Sequence, residues 1–208
     1  MWTIDKSFSF CYGHRVYVQK LNEAYTGDDC KAKCRHLHGH EGLVHVFLES
    51  DRLNEQAMVT DFKHLGWLKN FIDDTLDHKF VIDKNDPMFR QLVINVYLKY
   101  LSDRIVTKEF ALAYQQVSSF MKAMTKTVYI PGTQWPIGQV VNLAGMDATT
   151  SEYETLEGYL IVDFVPTSEN LAAWMWDIVY RKMKLIDVTV SRIDWFETPK
   201  SRATFKPD

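Results

Sequence analysis

No apolar run in the sequence approaches the eighteen or so residues of a membrane-spanning helix, so a membrane partner is not expected. The first residues, Met1-Trp2-Thr3-Ile4-Asp5, lack the charged-then-apolar pattern of a secretory signal, and a cytoplasmic protein is the expectation. Cysteines are few. The three present, Cys11, Cys30 and Cys34, are an odd number and suit a reducing compartment better than a disulfide framework. A basic stripe interleaved with aromatics is also missing, and the net charge is −3, so no nucleic acid partner is expected. Low-complexity stretches and internal repeats are absent. What remains is a globular composition, 46% hydrophobic and 13% aromatic, whose 208 residues suit a single domain spanning 1–208 with a sizeable core.

Against that background Cys34-Arg35-His36-Leu37-His38-Gly39-His40 stands out. Imidazole and thiolate are ligands that Zn²⁺ prefers, and three histidines with a thiol in seven residues point to a metal site. From His36 to about Glu49 the chain reads as a strand in which Val44, Val46 and Leu48 share a face with His36, His38 and His40. Two imidazoles two residues apart on a strand are about 6 to 7 Å apart at the backbone and can converge on one ion. Three in a row cannot, so a further ligand must come from elsewhere. The first strand, read over Trp2 to Val18, places His14 on the same face as Ile4, Phe8, Phe10 and Tyr12. Paired with the second strand, it would set His14 opposite His38 and His40, giving three nitrogens and an open fourth position. A second arrangement stays open: Cys30, Cys34, His38 and His40 spell Cys-x3-Cys-x3-His-x-His, a closed site that would hold a binding module together.

Further along, Asp61 is the expected N-cap of an amphipathic helix through Phe62, Leu65, Leu68, Phe71, Ile72 and Leu76. Asp77-His78 closes it, either as a plain helix end or as a carboxylate orienting an imidazole for proton transfer. Asp86-Pro87 opens an i, i+4 run through Tyr100/Leu101, and Thr107 is the expected cap of a helix carrying Phe110, Tyr114, Val117, Met121 and Met124. Pro131 to Gly145 reads as a Gly- and Pro-rich loop. The segment 84–158 carries no catalytic constellation and reads as an insertion. Leu160 to Val165 is an expected strand, and Thr167 or Ser168 caps a helix that buries Leu171, Trp174, Met175, Ile178 and Val179. In the last strand the apolar parity shifts near Ser191, as at a bulge, and puts Glu197 on a face with Ile193 and Trp195. A carboxylate there needs donors, from a ligand with parallel N–H groups or from an arginine.

In order along the chain, Phe8-Ser9-Phe10 with His14-Arg15, Cys34-x-x-x-His38-Gly39-His40, Val59-x-Asp61-Phe62-x-x-Leu65, Leu76-Asp77-His78, Pro166-Thr167-Ser168-Glu169 with Trp174 and Trp176, and Glu197-Thr198 resemble the 6-pyruvoyltetrahydropterin synthase and 6-carboxytetrahydropterin synthase family. The Cys34 spacing resembles its bacterial 6-carboxy branch. The resemblance implies an α+β tunnelling fold, with an antiparallel four-stranded sheet packed on two helices and, here, a large mostly helical insertion. It also implies a homo-oligomer, trimer-based and often hexameric, with active sites between subunits. It further implies Zn²⁺ on His14, His38 and His40, a pterin triphosphate substrate, Cys34 as base, and Asp77 and His78 as a second proton-transfer pair. Glu197 would be the pterin anchor, with Thr167 and Ser168 bordering the pterin. The reaction so implied converts 7,8-dihydroneopterin triphosphate to 6-carboxy-5,6,7,8-tetrahydropterin, acetaldehyde and triphosphate, on the route to queuosine. The sequence departs from the family at Tyr12-Gly13, where small alanines are usual, at Glu41-Gly42, where a small polar and an aromatic residue are common, and at Ile82.

Overall fold

The computed structural model describes residues 1–21, 32–104 and 117–207. Strands β1 (Trp2–His14) and β2 (His38–Ser50) pair antiparallel over their full length, from Trp2↔Ser50 to His14↔His38. β1 ends at His14 rather than Val18, and β2 begins at His38 rather than His36. The reason is a 3-10 turn at Lys33–Arg35, whose Cys34 carbonyl accepts from the Val16 N–H at 2.7 Å and pulls the chain out of the ladder. β7 (Thr189–Thr198) continues the sheet beside β2, and β8 (Ser201–Phe205) lies beside β7. Phe47 pairs with Arg192 but Leu48 with Val190, so Ser191 is the extra residue of a bulge where the parity shift predicts one.

One face of these four strands is the core. Phe8, Phe10, Val44, Val46, Leu48 and Trp195 are buried against two helices. The first starts as a 3-10 turn, Phe62–Leu65, in which the Asp61 side chain accepts from the Lys63 N–H, and continues as α1 (Gly66–Thr75). The second, α5 (Ser168–Met183), is capped by the Thr167 hydroxyl and buries Leu171, Met175, Ile178 and Val179.

The expected four-stranded sheet is corrected by the structure to eight strands in the order β4-β5-β6-β3-β1-β2-β7-β8. β3 (Lys79–Asp83) joins β1 in parallel at Tyr12↔Lys79 and Gly13↔Phe80, and β6 (Tyr159–Val162) joins β3 in parallel. A hairpin of β4 (Thr125–Tyr129) and β5 (Pro136–Val141) completes the sheet, touching β6 at Gln139↔Ile161. Among the described residues the insertion carries this hairpin as well as helices: part of the 131–145 stretch read as a loop is β5, whose alternation Pro136 and Gly138 conceal.

Among the described residues its helices are α2 (Asn95–Ser102), entered through a π-helical turn at Arg90–Ile94, α3 (Val117–Met124) and α4 (Ser151–Glu157). Asp86 accepts from the Met88 N–H at the start of this run. Thr107, Phe110 and Tyr114 lie outside the described residues. Ile82, Phe89, Val93, Phe120, Met124, Val141, Leu156 and Ile161 form an apolar cluster of their own behind the added strands. Among the described residues no helix is long and apolar enough to cross a membrane.

Candidate metal centre

The β1–β2 register assembles the histidines. His14 is the cross-strand partner of His38, and His40 is the partner of Tyr12, one pleat along on the same face. One nitrogen from each of His14, His38 and His40 lies within 4.8 Å of the others. His14 Nδ1 donates to the Pro166 carbonyl at 2.5 Å, and His38 Nδ1 donates to the His36 carbonyl at 2.8 Å. Each bond leaves Nε2 with its lone pair, the tautomer a metal ligand needs. His14 Nε2 and His40 Nε2 are 3.0 Å apart, against about 3.3 Å for two nitrogens on a tetrahedral ion with bonds of about 2.0 to 2.1 Å. The residues therefore fit a divalent ion of the zinc type. Burial pushes the His14 imidazole down to about 4, partly offset by the Pro166 carbonyl and by the charge of Glu197, and burial also lowers His40. Neutral imidazole is the ligating form.

Glu197, partly exposed near the end of β7, places a carboxylate oxygen 3.6 Å from His14 Nε2. The arginine alternative does not hold for it: Arg192 and Arg202 pair with Asp194, Arg181 with Asp177, and Arg15 with Asp86. Among the described residues no arginine pairs with Glu197, and its carboxylate lies beside the triad. Thr167 is occupied as the cap of α5, accepting from the Asn170 N–H, and Ser168 opens the helix. Both follow directly on Pro166, whose carbonyl holds His14.

Asp77 and His78 form a pair, and His78 lines one open cavity with His38 and His40. Asp77 Oδ2 is 2.9 Å from His78 Nδ1, while its Oδ1 accepts from the Cys11 N–H, and the His78 N–H donates to the Cys11 carbonyl. The Cys11 N–H, with His78 adding to it, holds the Asp77 carboxyl below its usual range. His78 has φ +57°, costly for a residue with a Cβ, and its ring is 79% exposed. Cys11 is three residues before His14, about 10 Å along a strand. The pair sits at the edge of β1, with His78 largely exposed to that cavity.

Cys34 is half-buried, with backbone bonds to Val16 and to the Gln19 side chain. Its thiol is not in the group of converging ligand atoms among the described residues, and Cys30 lies outside them. The Cys2His2 arrangement is thus not assembled by the described part of the chain. His36 contributes its carbonyl to His38, and its side chain is exposed. The two backbone acceptors, Pro166 and His36, are parts of the site that sequence reading missed. Only the position of Pro166 just before a helix cap hints at the first.

The chain matches the family model described as 6-pyruvoyl tetrahydropterin synthase over residues 3–208. It is 40% identical over 124 residues to the 6-carboxy-5,6,7,8-tetrahydropterin synthase of Aquifex aeolicus, covering 57% of this chain and 75% of that one. A relative of the same name from Synechocystis is 35% identical over 88 residues, covering 40% of this chain and 60% of that one. Among solved structures, an uncharacterized protein from Wolinella succinogenes is 37% identical with a TM-score of 0.77, and the match covers 100% of this chain and 98% of that one. That match takes in the insertion.

Proposed function

The chain belongs to the 6-pyruvoyl tetrahydropterin synthase family and is an enzyme, and from that premise we propose that it is a zinc-dependent lyase. Its substrate on this reading is 7,8-dihydroneopterin triphosphate. Its products are 6-carboxy-5,6,7,8-tetrahydropterin, acetaldehyde and triphosphate, within queuosine biosynthesis in the cytoplasm. The observation that carries the reading is the convergence of His14, His38 and His40 with the Glu197 carboxylate 3.6 Å from His14. The names of the relatives in Aquifex aeolicus and Synechocystis support the 6-carboxy product.

The residues have separable tasks. Glu197 accepts two parallel N–H groups of the pterin edge, a charge-assisted bidentate contact. Thr167 and Ser168 border the ring from the loop that also fixes His14. His14, His38 and His40 would hold a zinc ion, which would supply Lewis acidity to the hydroxyl oxygens of the substrate side chain. Cys34, as thiolate, takes the proton from the carbon bearing such a hydroxyl. Asp77 holds His78 in one tautomer so that its Nε2 gives or takes the second proton.

An oligomer is part of this proposal. Among the described residues β3 covers β1 only at Tyr12 and Gly13, so the β1 edge before Cys11 is open to a second copy of the chain, as is the outer edge of β8. A trimer-based assembly, alone or doubled to a hexamer, would carry the exposed Asp77–His78 pair to the triad of a neighbouring subunit. The test is incubation of the zinc-loaded protein with 7,8-dihydroneopterin triphosphate, following acetaldehyde and the pterin product by mass spectrometry. Acetaldehyde with a 6-carboxy product is the expected result. A 6-pyruvoyl product moves the chain to the other activity of the family, and no turnover by a zinc-loaded oligomer overturns the reading.

A further inference from the structure

Two of the three histidines have a backbone acceptor at Nδ1, and His40 has none among the described residues. An imidazole with no oriented Nδ1 turns about its terminal torsion unless packing stops it. Beside the His14 and His38 rings, at 5.0 and 4.9 Å, the ring packed against His40 is that of its cross-strand partner Tyr12, with centroids 5.7 Å apart; the same ring lies 5.3 Å from His14. Tyr12 is 3% exposed. Its oxygen accepts from Trp195 Nε1 at 3.0 Å, and the Phe10 and Trp195 rings close around it. Space for it comes from β2: a Cβ at Gly42 would stand 2.9 Å from Tyr12 Cε1, nearer than real contacts allow. The aromatic ring at position 12 and the missing side chain at 42 are therefore one packing unit.

We propose that Tyr12 is a positioning residue for the metal ligands: its ring, seated over Gly42 and tied to Trp195, holds His40 and His14 so that their Nε2 atoms converge. It does for His40 what the Pro166 and His36 carbonyls do for the other two. The inference rests on the reading of the triad as a metal centre.

The experiment compares the full-length protein with Tyr12→Leu, Tyr12→Phe and the double variant Tyr12→Ala/Gly42→Phe. Zinc affinity is read by competition with a chromophoric chelator, site geometry by the visible spectrum of bound Co²⁺, and folding by circular dichroism. Tyr12→Leu keeps bulk without a planar ring and is expected to lose zinc affinity about 10- to 100-fold and to alter the Co²⁺ bands. Tyr12→Phe keeps the ring and should stay close to the parent on both readouts. The double variant returns a ring from β2 and should regain most of the affinity and the spectrum. A folded Tyr12→Leu protein with the parent's affinity and spectrum overturns the proposal and leaves the metal centre standing. Should Tyr12→Leu not fold, the double variant decides: a parent-like spectrum supports the positioning role and an altered one overturns it. A parent that binds no zinc overturns both readings.

Discussion

His14 Nδ1 and the carbonyl oxygen of Pro166 lie 2.5 Å apart, joining the last residue of β1 to the loop before α5. That bond decides which His14 nitrogen carries the proton and aims the other at His38 and His40. It also brings Thr167 and Ser168 beside the triad. A helix that packs on the sheet through Leu171, Met175 and Ile178 is thereby coupled to the orientation of one imidazole. The precision of the site is inherited from the packing of the core.

The ligand set makes separate predictions for the thiol and the imidazole. His14→Ala removes one of three converging nitrogens and should leave the purified protein with little zinc by elemental analysis. Cys34→Ala should retain a full equivalent while kcat falls about 10²- to 10⁴-fold, the usual contribution of a positioned base. Loss of zinc in Cys34→Ala with retention in His14→Ala would instead identify a Cys2His2 module.

Asp77→Asn tests the pair at the edge of β1. The amide can no longer offer two anionic oxygens to the Cys11 N–H and His78 Nδ1. The expected result is retained zinc, a cost of about 1 to 3 kcal/mol in urea unfolding, and a kcat lowered about 10²-fold or more. Unchanged kcat with the same stability loss would reduce the pair to a structural edge cap.

Acid should weaken the metal-free protein through His14. The folded imidazole titrates at about 4 against 6.5 for the free group, chiefly because it is buried. Between those values the unfolded chain binds more protons, so stability falls as pH drops through the window and is level above it. At about 1.4 kcal/mol per pH unit the full effect is about 3 kcal/mol. Urea midpoints of the metal-free protein should fall between pH 7 and pH 5 and stay flat between pH 7 and pH 8. The acid-side slope should shrink in His14→Gln; a slope of the same size there would assign the effect to other groups.

Much of this architecture is legible in residue order alone. Alternation in β1 puts Phe8, Phe10 and His14 on one buried face, the parity change marks Ser191, and Asp61 and Thr167 cap as their positions before apolar runs predict. Other parts have no local signature. The carbonyls of Pro166 and His36 belong to backbone that any residue would supply. The β4–β5 hairpin hides behind Pro136 and Gly138, and its contact with β6 rests on the single pair Gln139↔Ile161. Tyr12 and Gly42 each read as an isolated oddity until the register sets them side by side.

The insertion is tied to the end of β1 by a buried ion pair whose removal should be costly. Arg15 directly follows His14, and its Nε lies 3.3 Å from Asp86 Oδ2, with side chains 9% and 1% exposed. Asp86 also starts the insertion's helical run through the Met88 N–H. Among the described residues Arg15 Nε and Nη1 and Asp86 Oδ2 make no hydrogen bond, so the pair is held by charge alone at these atoms. Deleting the carboxylate would leave a guanidinium buried with no counter-charge, so Asp86→Ala should lose about 3 to 5 kcal/mol in urea unfolding. Replacing both partners with apolar residues, as in Arg15→Met/Asp86→Leu, should recover much of that loss, because the larger part of the penalty is the unpaired charge rather than the missing attraction. If the double variant is as unstable as Asp86→Ala, the lost helix cap accounts for most of the destabilisation, and the pair contributes little to holding the insertion against β1.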